Sequence, residues 1–277
     1  MLKQRIITAV ILLALFLPAF FYPDASLLGA LSLAFIGAAV WEWAKLNQLK
    51  TFVSMVLAAL CVLICLFIWD RGMLDSNWRQ LWLGVGCLWV MGSLYIIRIG
   101  VSGWQSINPI VRVIVGLMVL IFTWCAIYQA KSMSTNLIFT MLALVWVADI
   151  GAYFFGRAWG KRKLAPAISP GKSWEGVWGG MFCVFVLALI WMQIEESLAW
   201  NSPSLFKLLW KHGWLYGLMS LFFLSAMSVV GDLFESLVKR STGAKDSSQL
   251  LPGHGGVLDR VDALLTALPL SMMLVLL

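Results

Sequence analysis

Long apolar runs separated by short polar connections dominate the pattern of this chain. A run of about 20 mostly apolar residues can cross a hydrocarbon core as a helix, because a helix satisfies its own backbone hydrogen bonds. The pattern predicts an all-α polytopic membrane protein with about nine transmembrane helices and no sizeable soluble domain. The last run is short and contains Pro269. The predicted spans are Ile6–Tyr22, Leu27–Ala44, Phe52–Trp69, Leu81–Ile97, Val113–Gln129, Leu137–Phe155, Val177–Ile194, Trp214–Val230 and Ala263–Leu277.

Composition strengthens this prediction. The chain is 61% hydrophobic and only 12% charged, whereas a soluble domain carries about 25% charged residues. The first apolar run follows Lys3 and Arg5, as the apolar part of a cleaved signal peptide would. No small-residue cleavage site follows the run, and it is long for a signal peptide, so we interpret it as the first span.

Lysine and arginine residues predict the orientation of the helices. With the N-terminus in the cytoplasm, 15 of the 20 such residues fall in segments on the cytoplasmic side. Cytoplasmic loops of membrane proteins carry an excess of these residues, so the distribution supports a cytoplasmic N-terminus. This asymmetry, with attraction to anionic lipid headgroups, explains the formal net charge of +7. We therefore expect a lipid bilayer, and no nucleic acid, as a partner.

The candidate chemistry is concentrated in the second half of the chain. Residues 1–130 form about five predicted transmembrane helices with few charged positions. Residues 131–277 form a region that we expect to be catalytic. Two polar parts of this region are predicted to face the cytoplasm: the first polar segment, residues 156–176, and the second polar segment, residues 231–262.

Two acidic residues stand inside apolar runs. Glu42 lies between Trp41 and Trp43, which we expect at the membrane interface. Its side chain either extends toward solvent beside Lys45 or has a functional role. Asp149 lies deep in the sixth run, where an unpaired buried carboxylate costs several kcal/mol. Asp149 is therefore either a functional residue or the partner of an arginine on a neighbouring helix.

The first polar segment contains a Gly-Lys-Ser sequence at residues 171–173. A nucleotide-binding P-loop needs a glycine five positions before the glycine of this sequence. Pro166 occupies that position and no strand is predicted before it, so the P-loop interpretation fails. A basic loop at a helix start remains, and it can bind phosphate through Lys172, Ser173 and backbone N–H groups.

The second polar segment carries carboxylates on two predicted helices. Asp232 and Ser236 are four residues apart and share one helix face, with Lys239 close to that face. Asp259 and Asp262 lie three residues apart where the last helix opens. Mg²⁺ is usually bound by one or two carboxylates together with substrate phosphates. Asp232, Asp259 and Asp262 are therefore candidate Mg²⁺ ligands in metal-assisted phosphoryl or nucleotidyl transfer.

The turn at residues 252–256, Pro-Gly-His-Gly-Gly, lies between these carboxylates. Its glycines allow the backbone to approach a ligand closely. His254 is either a general acid or base or a hydrogen-bond donor to phosphate, and we favour the second role for a loop histidine flanked by glycines.

The second polar segment resembles the signature of phosphatidate cytidylyltransferases, also called CDP-diacylglycerol synthases. The match runs without departure from Ser236 to Asp262. Residues 149–176 resemble the upstream loop of the same family, whereas the first half resembles it only in its span pattern and in Trp41-Glu42-Trp43. The matching positions are Ser236, Lys239, Arg240, Lys245, Asp246, Ser248, Leu251, Pro252, Gly253, His254, Gly255, Gly256, Asp259, Arg260 and Asp262.

The resemblance implies that CTP and phosphatidate react to give CDP-diacylglycerol and pyrophosphate in membrane phospholipid biosynthesis. It implies Mg²⁺, with K⁺ as a second ion at such sites, and a bacterial-type inner membrane with the site facing the cytoplasm. A homodimer is plausible because symmetric dimers are common. The implied catalytic residues are Asp232, Ser236, Lys239, Asp246, Asp259 and Arg260. The implied substrate-binding residues are Lys172, Ser173, Arg240, Lys245, His254, Gly255 and Gly256.

Two alternatives come from other interpretations of the same residues. One is an enzyme that uses CTP on another lipid phosphate, such as that of an ether lipid. The other is a transporter or channel, which would also bury Asp149 and gather basic loops. A transporter is expected to show internal repeats or broken helices at the midplane, and neither is seen in the sequence.

Overall fold

The computed structural model describes residues 2–277, so Met1 lies outside the described residues. The chain is 79% helical, as the apolar runs predict. The helices are α1 (Leu2–Phe21), α2 (Ser26–Leu46), α3 (Thr51–Asp70), α4 (Arg79–Ser106), α5 (Pro109–Met133), α6 (Thr135–Trp159), α7 (Trp174–Ser197), α8 (Leu205–Trp210), α9 (Trp214–Ser241), α10 (Leu258–Val261) and α11 (Leu264–Leu276).

Within residues 2–277, eight helices are long and apolar enough to cross a membrane: α1 to α7 and α9. The prediction of an all-α polytopic membrane protein is confirmed, but the expected ninth span does not reach this length. That run forms α11, which has only 13 residues. It packs against α4, α5, α6 and α9, and most of its side chains are buried. Its apolar sequence therefore reflects burial inside the helix bundle.

The interior of the bundle is rich in aromatic side chains. Trp43 is 2% exposed, and its ring lies 5.8 Å from Trp104 and 5.7 Å from Phe234 between centroids. Its Nε1 donates to the Arg112 carbonyl at 3.0 Å. Trp43 therefore packs inside the bundle and does not face lipid, so it does not belong to a lipid-facing aromatic belt, while its depth in the membrane stays a prediction. By contrast, α1 and α3 expose most of their apolar side chains, as lipid-facing helices do.

The two polar segments lie at the same end of the bundle. Strands β1 (Lys163–Ala165) and β2 (Ser169–Ser173) form an antiparallel hairpin in the first polar segment, which the sequence analysis did not predict. Arg240, near the end of α9, donates to the Ile168 carbonyl in this hairpin at 3.4 Å. The start of α1 is at the same end, because Arg5 donates to the Gly253 carbonyl at 3.0 Å.

Candidate active site

The last turns of α9 belong to the second polar segment and present polar side chains toward α10. Ser236 Oγ donates to Asp232 Oδ1 at 3.1 Å, as the four-residue spacing predicts. Lys239 Nζ lies 2.6 Å from Glu235 Oε2 and 2.6 Å from Asp259 Oδ1. Glu235 is fully buried and Lys239 is nearly so. The pair with Glu235 lies within α9, and the pair with Asp259 joins α9 to α10.

Asp259 accepts several hydrogen bonds from the loop before α10. Its Oδ2 accepts from Ser247 N at 2.9 Å, Gly256 N at 2.8 Å and Ser247 Oγ at 3.0 Å. Burial opposes ionisation, but these bonds and the Lys239 ammonium hold the pKa of Asp259 below its ordinary value. Asp259 is therefore a carboxylate anion that fixes the loop before α10.

Asp262 follows α10 directly, and its environment differs from that of Asp259. Its Oδ1 accepts from the N–H of Ala263 at 2.8 Å. Burial, together with the nearby negative charge of Asp232, raises the pKa of Asp262 to about 7. Asp232 and Asp262, from different elements, are thus close enough to repel each other when both are ionised.

The hairpin brings a lysine into this group of carboxylates. Lys172 Nζ lies 2.5 Å from Asp232 Oδ2. Asp149, on α6, interacts electrostatically with both Lys172 and Asp232. Its charged neighbour is thus a lysine of the hairpin, and not an arginine on an adjacent helix. We call this group of seven interacting side chains the acidic cluster: Asp149, Lys172, Asp232, Glu235, Lys239, Asp259 and Asp262.

A polar cavity of about 750 Å³ approaches the acidic cluster next to Asp259, but none of the seven cluster side chains lines it. It is lined by five predicted site residues, and α1 contributes Gln4 and Arg5, which the sequence analysis did not single out. His254 Nδ1 is buried there without a protein partner. Gly255 has a φ of +83°, and a Cβ at this position would lie 2.7 Å from Asp259 Oδ2. The five predicted residues are Lys245, Asp246, His254, Gly255 and Arg260.

An apolar groove of about 500 Å³ adjoins the polar cavity. Its walls come from α1, α2, α5, α6 and α11. Leu251 and Arg260 line both the groove and the polar cavity. A ligand with a charged head and an apolar tail is the chemical type that fits both spaces at once.

Four predicted substrate-binding residues line neither cavity: Lys172, which is paired with Asp232, and three others that have structural partners. Ser173 is buried, and its Oγ accepts from Gly176 N at 3.2 Å as the N-cap of α7. Arg240 Nη1 donates to the Ala244 carbonyl at 3.0 Å, while its Nε contacts the hairpin. Gly256 is buried against Ser247 and Glu42. These residues hold the hairpin and the loop in place.

Glu42 is the main residue whose position the sequence analysis did not anticipate. It is 0% exposed, so its side chain does not extend toward solvent beside Lys45. Lys45 donates instead to Thr51 Oγ1 at 3.1 Å. Glu42 accepts hydrogen bonds from the second polar segment, including one from Leu258 N at 2.7 Å. In the sequence, the signal for this position is a carboxylate within an apolar helix, because a buried carboxylate needs hydrogen-bond donors.

Comparison with known proteins agrees with this geometry. The sequence model of the cytidylyltransferase family matches residues 3–277. The chain belongs to this family. It is 39% identical to the phosphatidate cytidylyltransferase of Pseudomonas aeruginosa, over 97% of this chain and 95% of the relative. It is 35% identical to the phosphatidate cytidylyltransferase of Haemophilus influenzae, over 97% of this chain and 96% of the relative. It is 33% identical to that of Staphylococcus saprophyticus, over 97% of each chain.

Membership of the cytidylyltransferase family makes this protein a nucleotidyltransferase. The family predicted from the signature in the second half of the chain is therefore confirmed. The likeness also extends over the first half, where the sequence alone offered only a pattern of spans and the Trp41-Glu42-Trp43 sequence.

Proposed function

We propose that this protein is a phosphatidate cytidylyltransferase. A phosphate oxygen of phosphatidate attacks the α-phosphorus of CTP, a new P–O bond forms, and the bond from that phosphorus to the β-phosphate bridge breaks. CDP-diacylglycerol and pyrophosphate are the products. The observation that carries this proposal is the position of Arg260, which lines both the polar cavity and the apolar groove. A lipid with an anionic phosphate headgroup matches that junction.

The main chemical task of the site is to bring two polyanions together. Lys245, Arg260 and Arg5 line the polar cavity, where they can neutralise triphosphate and headgroup charge. Lys172 and Lys239 stand in the acidic cluster beside it. No strong base is needed, because a phosphate oxygen is already ionised at neutral pH. The cations instead hold the attacking and leaving oxygens in line.

The acidic cluster fits Mg²⁺. Its five carboxylates outnumber its two lysines, and oxygen-rich donor sets suit this ion. Within residues 2–277, no group of three or more His, Cys, Asp or Glu side chains is placed to hold a metal ion, so an ion here would need substrate phosphates beside one or two carboxylates. One or two of Asp232, Asp259 and Asp262 would hold the ion, which, when bound, supplies positive charge to the triphosphate.

The membrane location follows from the same arrangement. Both polar segments and the start of α1 lie at one end of the bundle, and most lysines and arginines belong to that end under the predicted topology. We propose that this end faces the cytoplasm, from which CTP arrives. The similar proteins come from bacteria, and we propose the inner (cytoplasmic) membrane as the location.

The test uses purified protein in detergent micelles with radiolabelled CTP, phosphatidate and Mg²⁺. The proposal expects label to enter the organic phase only when phosphatidate and Mg²⁺ are both present. Parallel reactions contain an ether-lipid phosphate or no lipid. Transfer to the ether-lipid phosphate alone, or no transfer by folded protein to either lipid, would contradict the proposed substrate.

A further inference from the structure

Glu42 is a fully buried carboxylate that makes no ion pair. It lies on α2, outside the part of the chain that carries the family signature, and is 0% exposed. None of the lysine, arginine or histidine residues in the described chain lies within ion-pair distance of it. A buried charge is retained only where hydrogen bonds compensate for the lost hydration, so its donors indicate its role.

All four donors to Glu42 come from the second polar segment. Oε1 accepts from Val257 N at 2.9 Å and from Ser248 Oγ. Oε2 accepts from Leu258 N at 2.7 Å and from Ser247 Oγ at 3.2 Å. The serines begin the loop that contains the Pro252–Gly256 turn, and the two backbone donors end it. Glu42 therefore ties both ends of this loop to α2.

Ser247 connects Glu42 directly to Asp259. Its Oγ lies 3.2 Å from Glu42 Oε2 and 3.0 Å from Asp259 Oδ2. A serine hydroxyl has one proton, so the two carboxylates share a single donor, while Ser247 N binds Asp259 as well. A Cβ on Gly256 would lie only 2.0 Å from Ser247 Oγ and 2.5 Å from Glu42 Oε1. The contact is thus closely packed.

We propose that Glu42 is a positioning residue for the transfer reaction. Through Ser247 and the start of α10, it fixes Asp259 and the cavity-lining loop relative to α2. This inference rests on the proposed function, because Asp259 acts there with the substrate phosphates and Mg²⁺. It assigns part of the active site to the first half of the chain, which carries few charged residues.

The substitution Glu42→Gln tests this role with little change of shape. Each carboxylate oxygen accepts from a backbone N–H, so the glutamine NH₂ group would face a donor in either orientation. We expect kcat per folded enzyme to fall about 10²-fold, the effect that a displacement of about 1 Å can have. We also expect the Mg²⁺ concentration for half-maximal rate to rise about 10-fold.

The matched control is Glu195→Gln. Glu195 is 1% exposed and also accepts from a backbone N–H and a hydroxyl, both of Ser204. It lies near the far end of α7, remote from the cluster. Replacing Glu195 measures the effect of removing a buried, hydrogen-bonded carboxylate that lies away from the site. We expect Glu195→Gln to lower the thermal unfolding midpoint but to leave the half-saturating Mg²⁺ concentration and kcat per folded enzyme unchanged.

A double-mutant cycle separates positioning from general destabilisation. Ser247→Ala is introduced into the wild type and into Glu42→Gln. The proposal expects a clearly smaller fold-loss of kcat in the Glu42→Gln background, because the two residues act through one contact. Equal fold-losses in both backgrounds would overturn it. So would values of kcat and half-saturating Mg²⁺ for Glu42→Gln within about 3-fold of wild type.

Three further outcomes are also decisive. If Glu42→Gln does not fold, Ser248→Ala removes one of the four donors, and we expect it to raise the half-saturating Mg²⁺ concentration; an unchanged value would overturn the proposal. Inactive wild-type protein would contradict the proposed function itself. Active wild type with an unaffected Glu42→Gln variant would contradict only the positioning role.

Discussion

Lys172 Nζ lies 2.5 Å from Asp232 Oδ2 and joins the β1–β2 hairpin to α9. Both side chains are about three-quarters buried, so the attraction between them is less screened than at a free surface. The pair places a cation of the first polar segment among the carboxylates of the second. The two polar segments thus form one site.

Replacing Lys172 by glutamine should lower kcat by about 10²-fold, because one preorganised cation near the transferring phosphate is lost. Lys163→Gln is the matched control, since Lys163 is exposed in the same hairpin. We expect the control to retain activity. Steady-state rates at saturating CTP and phosphatidate measure the effect, and equal rates for the two variants would contradict a role of Lys172 in the reaction.

Asp259→Asn should lower turnover at least about 10²-fold while leaving membrane insertion intact. The amide removes a negative charge beside Lys239 and places an NH₂ group near the donors of Ser247 or Gly256. Asp70→Asn serves as the control, because Asp70 is exposed at the end of α3. Retained activity of Asp259→Asn at saturating Mg²⁺ would exclude Asp259 as an essential metal carboxylate.

Arg260→Gln should raise the KM for phosphatidate about 10-fold, the usual size for one lost hydrogen bond to a charged group. Arg260 lines the junction of the polar cavity and the apolar groove. Arg157→Gln removes the same charge from the end of α6, where Arg157 contacts Tyr153. Initial rates over a range of phosphatidate in micelles provide the measurement. An unchanged KM for Arg260→Gln would remove Arg260 from the headgroup site.

Cysteines introduced one at a time at exposed loop positions, in a variant whose five native cysteines are replaced, test the orientation. Gln249 lies in the second polar segment, and Asn201 lies in the loop between α7 and α8 at the other end of the bundle. A membrane-impermeant maleimide applied to spheroplasts should label Asn201→Cys and should label Gln249→Cys only after permeabilisation. Labelling of Gln249→Cys in intact spheroplasts would reverse the proposed topology.

Local relationships in the site could be predicted from the sequence, and contacts between distant segments could not. The pairing of Ser236 with Asp232 follows from helix periodicity alone. The contact of Lys172 with Asp232 and that of Glu42 with Leu258 depend on how whole helices pack. A single sequence contains no direct record of that packing, which is why the role of Glu42 was left open.

The same distinction explains the difference in the number of spans. Hydropathy detects that residues 263–277 avoid water, but it does not distinguish a lipid environment from the interior of a helix bundle. In the structure, α11 begins at Leu264, after the short α10 and Asp262, and is surrounded by other helices. Asp262, two residues before its start, belongs to the acidic cluster.

The most direct test of cytidylyl transfer compares CTP labelled at the α-phosphate with CTP labelled at the γ-phosphate. Purified protein is incubated with each nucleotide, phosphatidate and Mg²⁺, and the lipid and aqueous products are separated. The account predicts that the α-label enters the lipid and that the γ-label appears in pyrophosphate. Entry of the γ-label into the lipid would indicate phosphoryl transfer instead and would contradict the proposed reaction.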